Sequence, residues 1–534
     1  MPTLKINGQD VTVEKGTTII RAAEQLGISI PHYCYHPGLS IAGNCRMCLV
    51  EVEKMPKPQI SCHIQCQDGM VVQTESEKVK KLRQHVLEFL LVNHPLDCPV
   101  CDQAGECRLQ DYYMEHGLYD SRVNENKVKK TAKAKPIGPT IMLDSERCIL
   151  CSQCVRFTDE ITKTGEFGIF NRGDHSEIGV GKELDNKYSG NVADICPVGA
   201  LTDRDFRFKC RVWYLQKTES VCPGCARGCN ITIEANLERP QHGSGERVMR
   251  LKPRFNDQVN DWWMCDEGRY GYKFIDHDRI HQPIMRLAGA VRQVEWDEII
   301  DDFLKSFKKL KAKDEIAVLV SPQMTNEELY LAKRFFAQDL GIKQIYLVQN
   351  KPDGYQDDLL LRADKHPNRK GAEWIGFVEH DKQTNALLDQ LGKQFKGLII
   401  FGQDVVSLFP NRNVTDSLSN LDLTAFIGSN YNLTSECVQY VFPAAAYAEK
   451  NGTFTNFEGR VQRIRKAFPA LGESKAESEI LRIFADQLHF EWPYKTEEDI
   501  FSGLVRSVNQ FQGMNYKKIG TEGINPVIAS KRSE

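Results

Sequence analysis

The sequence predicts a multidomain α+β chain in which several small metal-centred domains precede one larger α/β domain. Three observations carry that prediction. Seventeen of the eighteen cysteines lie between positions 34 and 265, and only Cys437 follows them. Fifteen of the seventeen fall into sets with metal-ligand spacing, one of which includes a histidine. From about 280 the texture changes to short apolar runs separated by helical stretches. A length of 534 residues leaves room for about three to five domains with real cores.

Composition removes several classes. A net charge of −3 supplies no global basic field for nucleic acid. No run of eighteen apolar residues is present, and the first residues read as a strand rather than a secretory signal. The expectation is a cytosolic or matrix-facing chain that meets a membrane only through partners. Disulfides are a poor account of the cysteines in a large chain without a secretory signal.

Residues 1–76 open with two short alternating segments joined at Asn7-Gly8, a hairpin signal. A helix over about 17–26 and strands near 48–53 and 70–74 complete a small domain. It carries Cys34, Cys45, Cys48 and Cys62 in the spacing C-x10-C-x2-C-x13-C. This resembles a plant-type ferredoxin domain of β-grasp form, with the usual C-x4-C-x2-C widened, and so implies a [2Fe–2S] centre. Cys66 rivals Cys62, but Cys62 fits the resemblance better and Cys66 reads as a buried thiol.

Residues 77–138 begin with a helix over about 76–93, capped by Ser76, with apolar residues at 79, 82, 86, 89 and 90. Pro95 ends it, so His94 stands at the helix exit. His94, Cys98, Cys101 and Cys107 follow the spacing H-x3-C-x2-C-x5-C, four soft ligands in one short loop; a zinc knuckle is the rival to a cluster here. The basic run 127–135 reads as a solvated linker.

Residues 139–214 hold Cys148, Cys151 and Cys154 at C-x2-C-x2-C, then Cys196-Pro197. In two-cluster bacterial ferredoxins the Cys-Pro cysteine serves the other cluster. Here Thr158 occupies the fourth place of the first run, so one [4Fe–4S] cluster on 148, 151, 154 and 196 is the simplest closure. Cys210 is left to packing. Residues 215–279 supply Cys222, Cys225, Cys229 and Cys265, again suited to [4Fe–4S], with structural zinc as the serious rival.

In residues 280–490, strands near 315–320, 345–348, 397–401 and 424–427, with a helix over about 326–340, imply a parallel, doubly wound sheet. Neither G-x-G-x-x-G nor G-x-x-x-x-G-K-[ST] occurs. Residues 491–534 are weakly patterned and read as a docking tail.

The motifs His94-Pro-Leu-Asp-Cys-Pro-Val-Cys-Asp-Gln-Ala-Gly-Glu-Cys107, Arg147-Cys-Ile-Leu-Cys-Ser-Gln-Cys-Val-Arg156 and Asp194-Ile-Cys-Pro-Val-Gly-Ala-Leu201 are long and specific. Through them residues 1–280 resemble the NuoG-like family, the large iron–sulfur subunits of respiratory complex I, NADH:quinone oxidoreductase. The resemblance implies one [2Fe–2S] and two [4Fe–4S] clusters on the first three sets. It maps a third [4Fe–4S], found in some bacterial members, onto Cys222, Cys225, Cys229 and Cys265. The remainder to about 485 looks like a shortened molybdopterin-oxidoreductase domain, most clearly at Val441-Phe-Pro-Ala-Ala-Ala-Tyr-Ala-Glu-Lys-Asn-Gly-Thr453. Its short length, and Cys437 as its one cysteine in no recognisable ligand context, imply a structural domain without molybdopterin.

The implied function is one-electron transfer from an NADH/FMN-binding flavoprotein subunit, through the clusters, to a further iron–sulfur subunit and quinone. No catalytic residue, nicotinamide site or flavin is expected on this chain. The implied setting is a peripheral arm on the cytoplasmic side of a bacterial inner membrane. The alternative is a diaphorase-type subunit of a soluble NAD-linked hydrogenase or formate dehydrogenase, alike over residues 1–210. A zinc-stapled scaffold without redox function is the third reading.

Overall fold

The computed structural model describes residues 1–526 except 288, 311–312, 350 and 379–380, with the side chains of 313 and 381–383 also left out. The chain divides into two compact units, Met1–Leu215 and the residues from Gln216 onward.

In the first unit, strands Thr3–Ile6 and Gln9–Thr12 form the expected hairpin. Its turn residues Asn7 and Gly8 both have positive φ, as a tight two-residue turn requires. These strands join Val71–Gln73, Leu49–Val52 and Gln59–Ile60 in a five-stranded sheet, against which helix Ile19–Gln25 packs Ile19, Ile20, Ala22 and Ala23. Helix Glu77–Leu91 is capped by Ser76, whose Oγ accepts from Val79 N at 3.3 Å. Its inward face differs from the expected stripe. Val79, Arg83 and Leu87 are buried, whereas Phe89 is 80% exposed. Arg83 is admitted to the interior because Glu75 and the Thr74 carbonyl each accept from its guanidinium at 2.7 Å.

The basic run is not a free linker. Lys127 Nζ donates to Leu91 O (2.8 Å) and Val92 O (3.0 Å), orphan carbonyls at a helix C-terminus. Lys130 donates to Ser176 O, and Lys133 is paired with Asp97 and Glu146.

The second unit opens with the antiparallel sheet Gln216–Val221, Asn230–Ala235, Val248–Pro253. Its larger sheet has seven strands. Ile345–Leu347, Ile316–Val320, Gly397–Phe401, Leu423–Gly428 and Tyr440–Pro443 run parallel, in that spatial order. Ile284–Leu287 and Ala290–Gln293 add an antiparallel edge. Strands Ile316–Val320 and Gly397–Phe401 are buried throughout, the pattern of a sheet covered on both faces. The expected helix over 326–340 is α-helical over Asn326–Ala332 and widens to a π-helix over Lys333–Asp339.

The stretch after 490 departs from a docking tail. Helix Glu497–Ser507 starts at a capping box formed by Thr496 and Asp499, and its Ile500, Phe501 and Leu504 join the main core with Phe511, Tyr516 and Ile519. Residues 527–534 of that expected tail lie outside the described residues. Among the described residues, no helix is long and apolar enough to cross a membrane.

Candidate metal-cluster sites

The loop bearing Cys34, Cys45 and Cys48 sits against the five-stranded sheet. Its thiols stand in two pairs: Cys34 with Cys45, and Cys48 with Cys62. Within each pair one thiol donates to the other, which holds Cys34 and Cys48 down and pushes Cys45 and Cys62 up. Gly43 has φ +60°, a conformation that turns the chain towards Cys45. Cys66 lies apart from the pairs, buried in the core of the sheet, where burial raises its pKa.

The 94–107 loop places His94, Cys98 and Cys107 on one cavity of about 460 Å³. Cys101 does not line it; its Sγ instead lies where a Cβ on Gly199 would stand. Any larger residue at 199 would displace that sulfur. Burial, with help from Arg147 and Lys127, lowers the His94 pKa to about 4, so the imidazole is neutral, the form that binds metal. Its Nδ1 is buried with no hydrogen-bond partner, a nitrogen that a metal would satisfy. Leu96 and Tyr119, which line that cavity, are exposed.

Cys148, Cys151, Cys154 and Cys196 all line one narrow cavity with Ile178, Val198 and Leu201. Leu150 and Ser152 both take positive φ, which turns the three loop sulfurs towards the same side. Leu150 N donates to Cys148 Sγ at 3.3 Å. Thr158, in the vacant fourth place, is fully buried and donates to Cys154 O, while Cys210 donates to Arg211 O. Burial drives Cys148, Cys151 and Cys154 upward, so only a bound cation would make thiolates of them here.

One apolar core joins these sites. Cys34, Cys107 and Cys151 are buried in it together with Tyr33, Met47, Leu87, Leu109, Val198 and Ala200. Cys45, Cys148 and Cys196 pack at its edge.

In the second unit, Cys222, Cys225 and Cys229 occupy the turn between strands Gln216–Val221 and Asn230–Ala235, pinned by Cys222 N donating to Cys229 O at 2.9 Å. Cys265 caps helix Asp266–Tyr270, its Sγ accepting from Gly268 N at 3.3 Å. All four thiols line one narrow cavity with Met264, Leu360 and Leu361, and a Cβ on Gly268 would stand 2.9 Å from Cys222 Sγ. Among the described residues, no three His, Cys, Asp or Glu side chains close on one point tightly enough for a single metal ion.

A second cavity of this unit, about 470 Å³, opens at the C-terminal ends of the parallel strands, where Ser321, Gly402, Gly428 and Asn430 meet Cys222 and Gly224. Lys450 and Glu477 form part of its wall, and the buried Tyr447 hydroxyl there has no partner. Cys437 is not among the lining residues; it ends helix Leu433–Cys437, with its Sγ 4.0 Å from Thr415 Oγ1.

Sequence reasoning missed the basic residues that hold the loops. Arg147 is buried beside Asp97 (3.1 Å) and Asp144 (3.3 Å), and Arg156 reaches the Cys34 and Cys151 carbonyls. Their signal was present, since they bracket the 148–154 cysteines in sequence.

Buried cysteine sets, those of the first unit sharing an apolar core, define an iron–sulfur protein built for electron transfer. Five known families match: a 2Fe-2S iron–sulfur cluster binding domain (1–77), the NADH-ubiquinone oxidoreductase-G iron–sulfur binding region (83–122) and the NADH-quinone oxidoreductase subunit 3 ferredoxin-like domain (138–202). The NDSU1/NuoG-like 4Fe-4S domain (215–273) and molybdopterin oxidoreductase (370–487) complete the set. Among relatives, the mitochondrial NADH-ubiquinone oxidoreductase 78 kDa subunit of Neurospora crassa is 32% identical, across 92% of this chain and 81% of that one. The 75 kDa subunit of Reclinomonas americana is 31% identical, across 94% and 90%. The NuoG-type NADH-quinone oxidoreductase subunit of Rickettsia bellii is 42% identical across 63% of this chain and 48% of its own. A solved chain of NAD+-reducing [NiFe]-hydrogenase in the H2-reduced state matches 40% of this chain and 91% of its own, with 31% identity and a TM-score of 0.36.

The chain belongs to the family of complex I 75/78 kDa subunits and their bacterial NuoG counterparts. It is an iron–sulfur electron-transfer subunit of an NADH:quinone oxidoreductase.

Proposed function

We propose that the chain carries four clusters and relays electrons one at a time from an NADH/FMN flavoprotein subunit towards quinone. Cys34, Cys45, Cys48 and Cys62 hold a [2Fe–2S] centre, each thiol pair serving one iron. His94, Cys98, Cys101 and Cys107 hold a [4Fe–4S] cluster, for which Cys101 must turn from Gly199 towards the other three. Cys148, Cys151, Cys154 and Cys196 hold a second, and Cys222, Cys225, Cys229 and Cys265 a third. The observation that carries this reading is the apolar core of the first unit, where thiols from three sets meet away from water.

Bound clusters supply reversible one-electron chemistry; the chain's residues set where and at what potential it occurs. The amide of Leu150 donates to one ligand sulfur and that of Gly268 to another, which favours the more negative, reduced state. Arg147 does the same through its charge near His94 and Cys101. The sheet domain from about 280 is structural and free of molybdopterin in this reading, supported by Cys437's position away from the cavity. The partners are the flavoprotein and other iron–sulfur subunits of a peripheral arm on the cytoplasmic side of a bacterial membrane, with the membrane reached through those partners.

Redox-titrated EPR of His94 variants tests the assignment. Thiolate brings a negative charge that imidazole lacks, so His94→Cys keeps its cluster and shifts that midpoint downwards, and His94→Ala makes the cluster labile. An unchanged midpoint in His94→Cys removes His94 from the ligands.

A further inference from the structure

Four side chains tie the 33–44 loop of the first cysteine set to the 150–160 segment of the third. Gln153 donates to Tyr33 O, Asn44 to Leu150 O at 3.2 Å, and Ser40 N to Glu160 at 2.8 Å. The fourth, Arg156, touches ligand residues on both sides. Its Nη2 donates to Cys34 O at 2.6 Å and to Cys151 O at 3.3 Å. Nη1 donates to Ser40 O, and Nε to Ser152 Oγ at 3.3 Å.

We propose that Arg156 is the positioning residue that couples the Cys34-Cys45-Cys48-Cys62 centre to the Cys148-Cys151-Cys154-Cys196 centre for electron transfer. This rests on the cluster assignment above. One nitrogen bridges the peptide of a ligand in each set, so a route of covalent and hydrogen bonds, with no jump through space, runs from Cys34 Sγ to Cys151 Sγ. A planar fork with several donors suits this; an ammonium has three donors on one point and cannot hold the same spread of carbonyls. Its positive charge, held between ligand residues of both sets, stabilises the more negative, reduced state of both centres. In the step itself one electron leaves the reduced centre, which is oxidised, and enters the other, which is reduced. No bond forms or breaks, and Arg156 keeps its proton.

The test uses the assembled oxidoreductase carrying Arg156→Lys or Arg156→Gln, with EPR-monitored redox titration and freeze-quench EPR after mixing with NADH. Arg156→Gln is expected to lower both midpoints together and to slow exchange between the two centres several-fold. Arg156→Lys is expected to restore the midpoints while exchange stays slow. Wild-type midpoints and exchange in both variants overturn the proposal. Loss of either centre from both variants also overturns it, because the residue is then needed only for assembly. Failure of the cluster assignment itself reads differently, as absence of the two-iron or four-iron signal from the unsubstituted complex.

Discussion

In residues 1–215, ligand thiols from three sets are part of the hydrophobic core itself. From 216 onward, the two large cores that flank the parallel sheet are built from Ile, Leu, Val and Phe, and the four ligand thiols stand in a separate hairpin turn and helix cap. The core that joins those three sets thus includes ligand cysteines, while the two large cores of the second unit hold no ligand cysteine. A core that includes ligand cysteines leans on metal for part of its stability, because metal binding to ligands that a fold brings together is itself folding free energy.

Ligand removal should break the two units unequally, and this is the largest effect expected. Cys154→Ala should cost its cluster and loosen all of residues 1–215, seen as loss of two-iron and four-iron EPR signals together. Cys229→Ala should remove one four-iron signal and leave the rest. Equal, local losses from both substitutions would contradict the contrast.

The second unit should instead be broken by charge. Lys450 is buried between Glu328 (2.8 Å) and Glu477 (2.6 Å). Lys450→Met strands those carboxylates and should cost about 3–5 kcal/mol in chemical denaturation. Tryptophan fluorescence reports on this unit, since five of the six tryptophans follow position 216. The EPR signals of the first unit should be unchanged.

A smaller effect sharpens the same contrast through pH. Burial pushes the Glu327 carboxyl up to about 7, although Thr453 and Tyr516 donate to it. The folded carboxyl therefore holds its proton more tightly than the unfolded one, whose pKa is about 4.3. Its contribution is fully present below that value and is lost as pH rises through 7. Denaturation midpoints of the second unit should fall over that window, and Glu327→Gln should flatten the slope. An equal slope in both proteins would remove Glu327 as the cause.

The same contrast explains what could be read in advance. Metal chemistry restricts residue type and spacing locally, so the cysteines that line one cavity, 148, 151, 154 and 196 and again 222, 225, 229 and 265, could be grouped from spacing, whereas Cys101 stands apart from the cavity of His94, Cys98 and Cys107. The parallel strands were legible because each is a short, wholly apolar run. Arg83 and Phe89 exchanged their expected places because Glu75 and Thr74, outside the helical repeat, supply the partners that bury an arginine. The final helices were missed although Thr496-Glu-Glu-Asp499 spells a capping box and Ile500, Phe501, Leu504 and Val505 follow it in helical register. The reach of Arg156 was invisible because its partners Ser40 and Cys34 lie more than a hundred residues away.

Metal analysis of the anaerobically purified chain, with low-temperature EPR after dithionite reduction, tests the central claim most directly. Four clusters predict about 14 irons per chain, no stoichiometric zinc, and signals from one two-iron and three four-iron centres. Iron near about 10 with about one zinc would reassign the Cys222, Cys225, Cys229 and Cys265 set to structural zinc, and iron near zero would contradict the account as a whole.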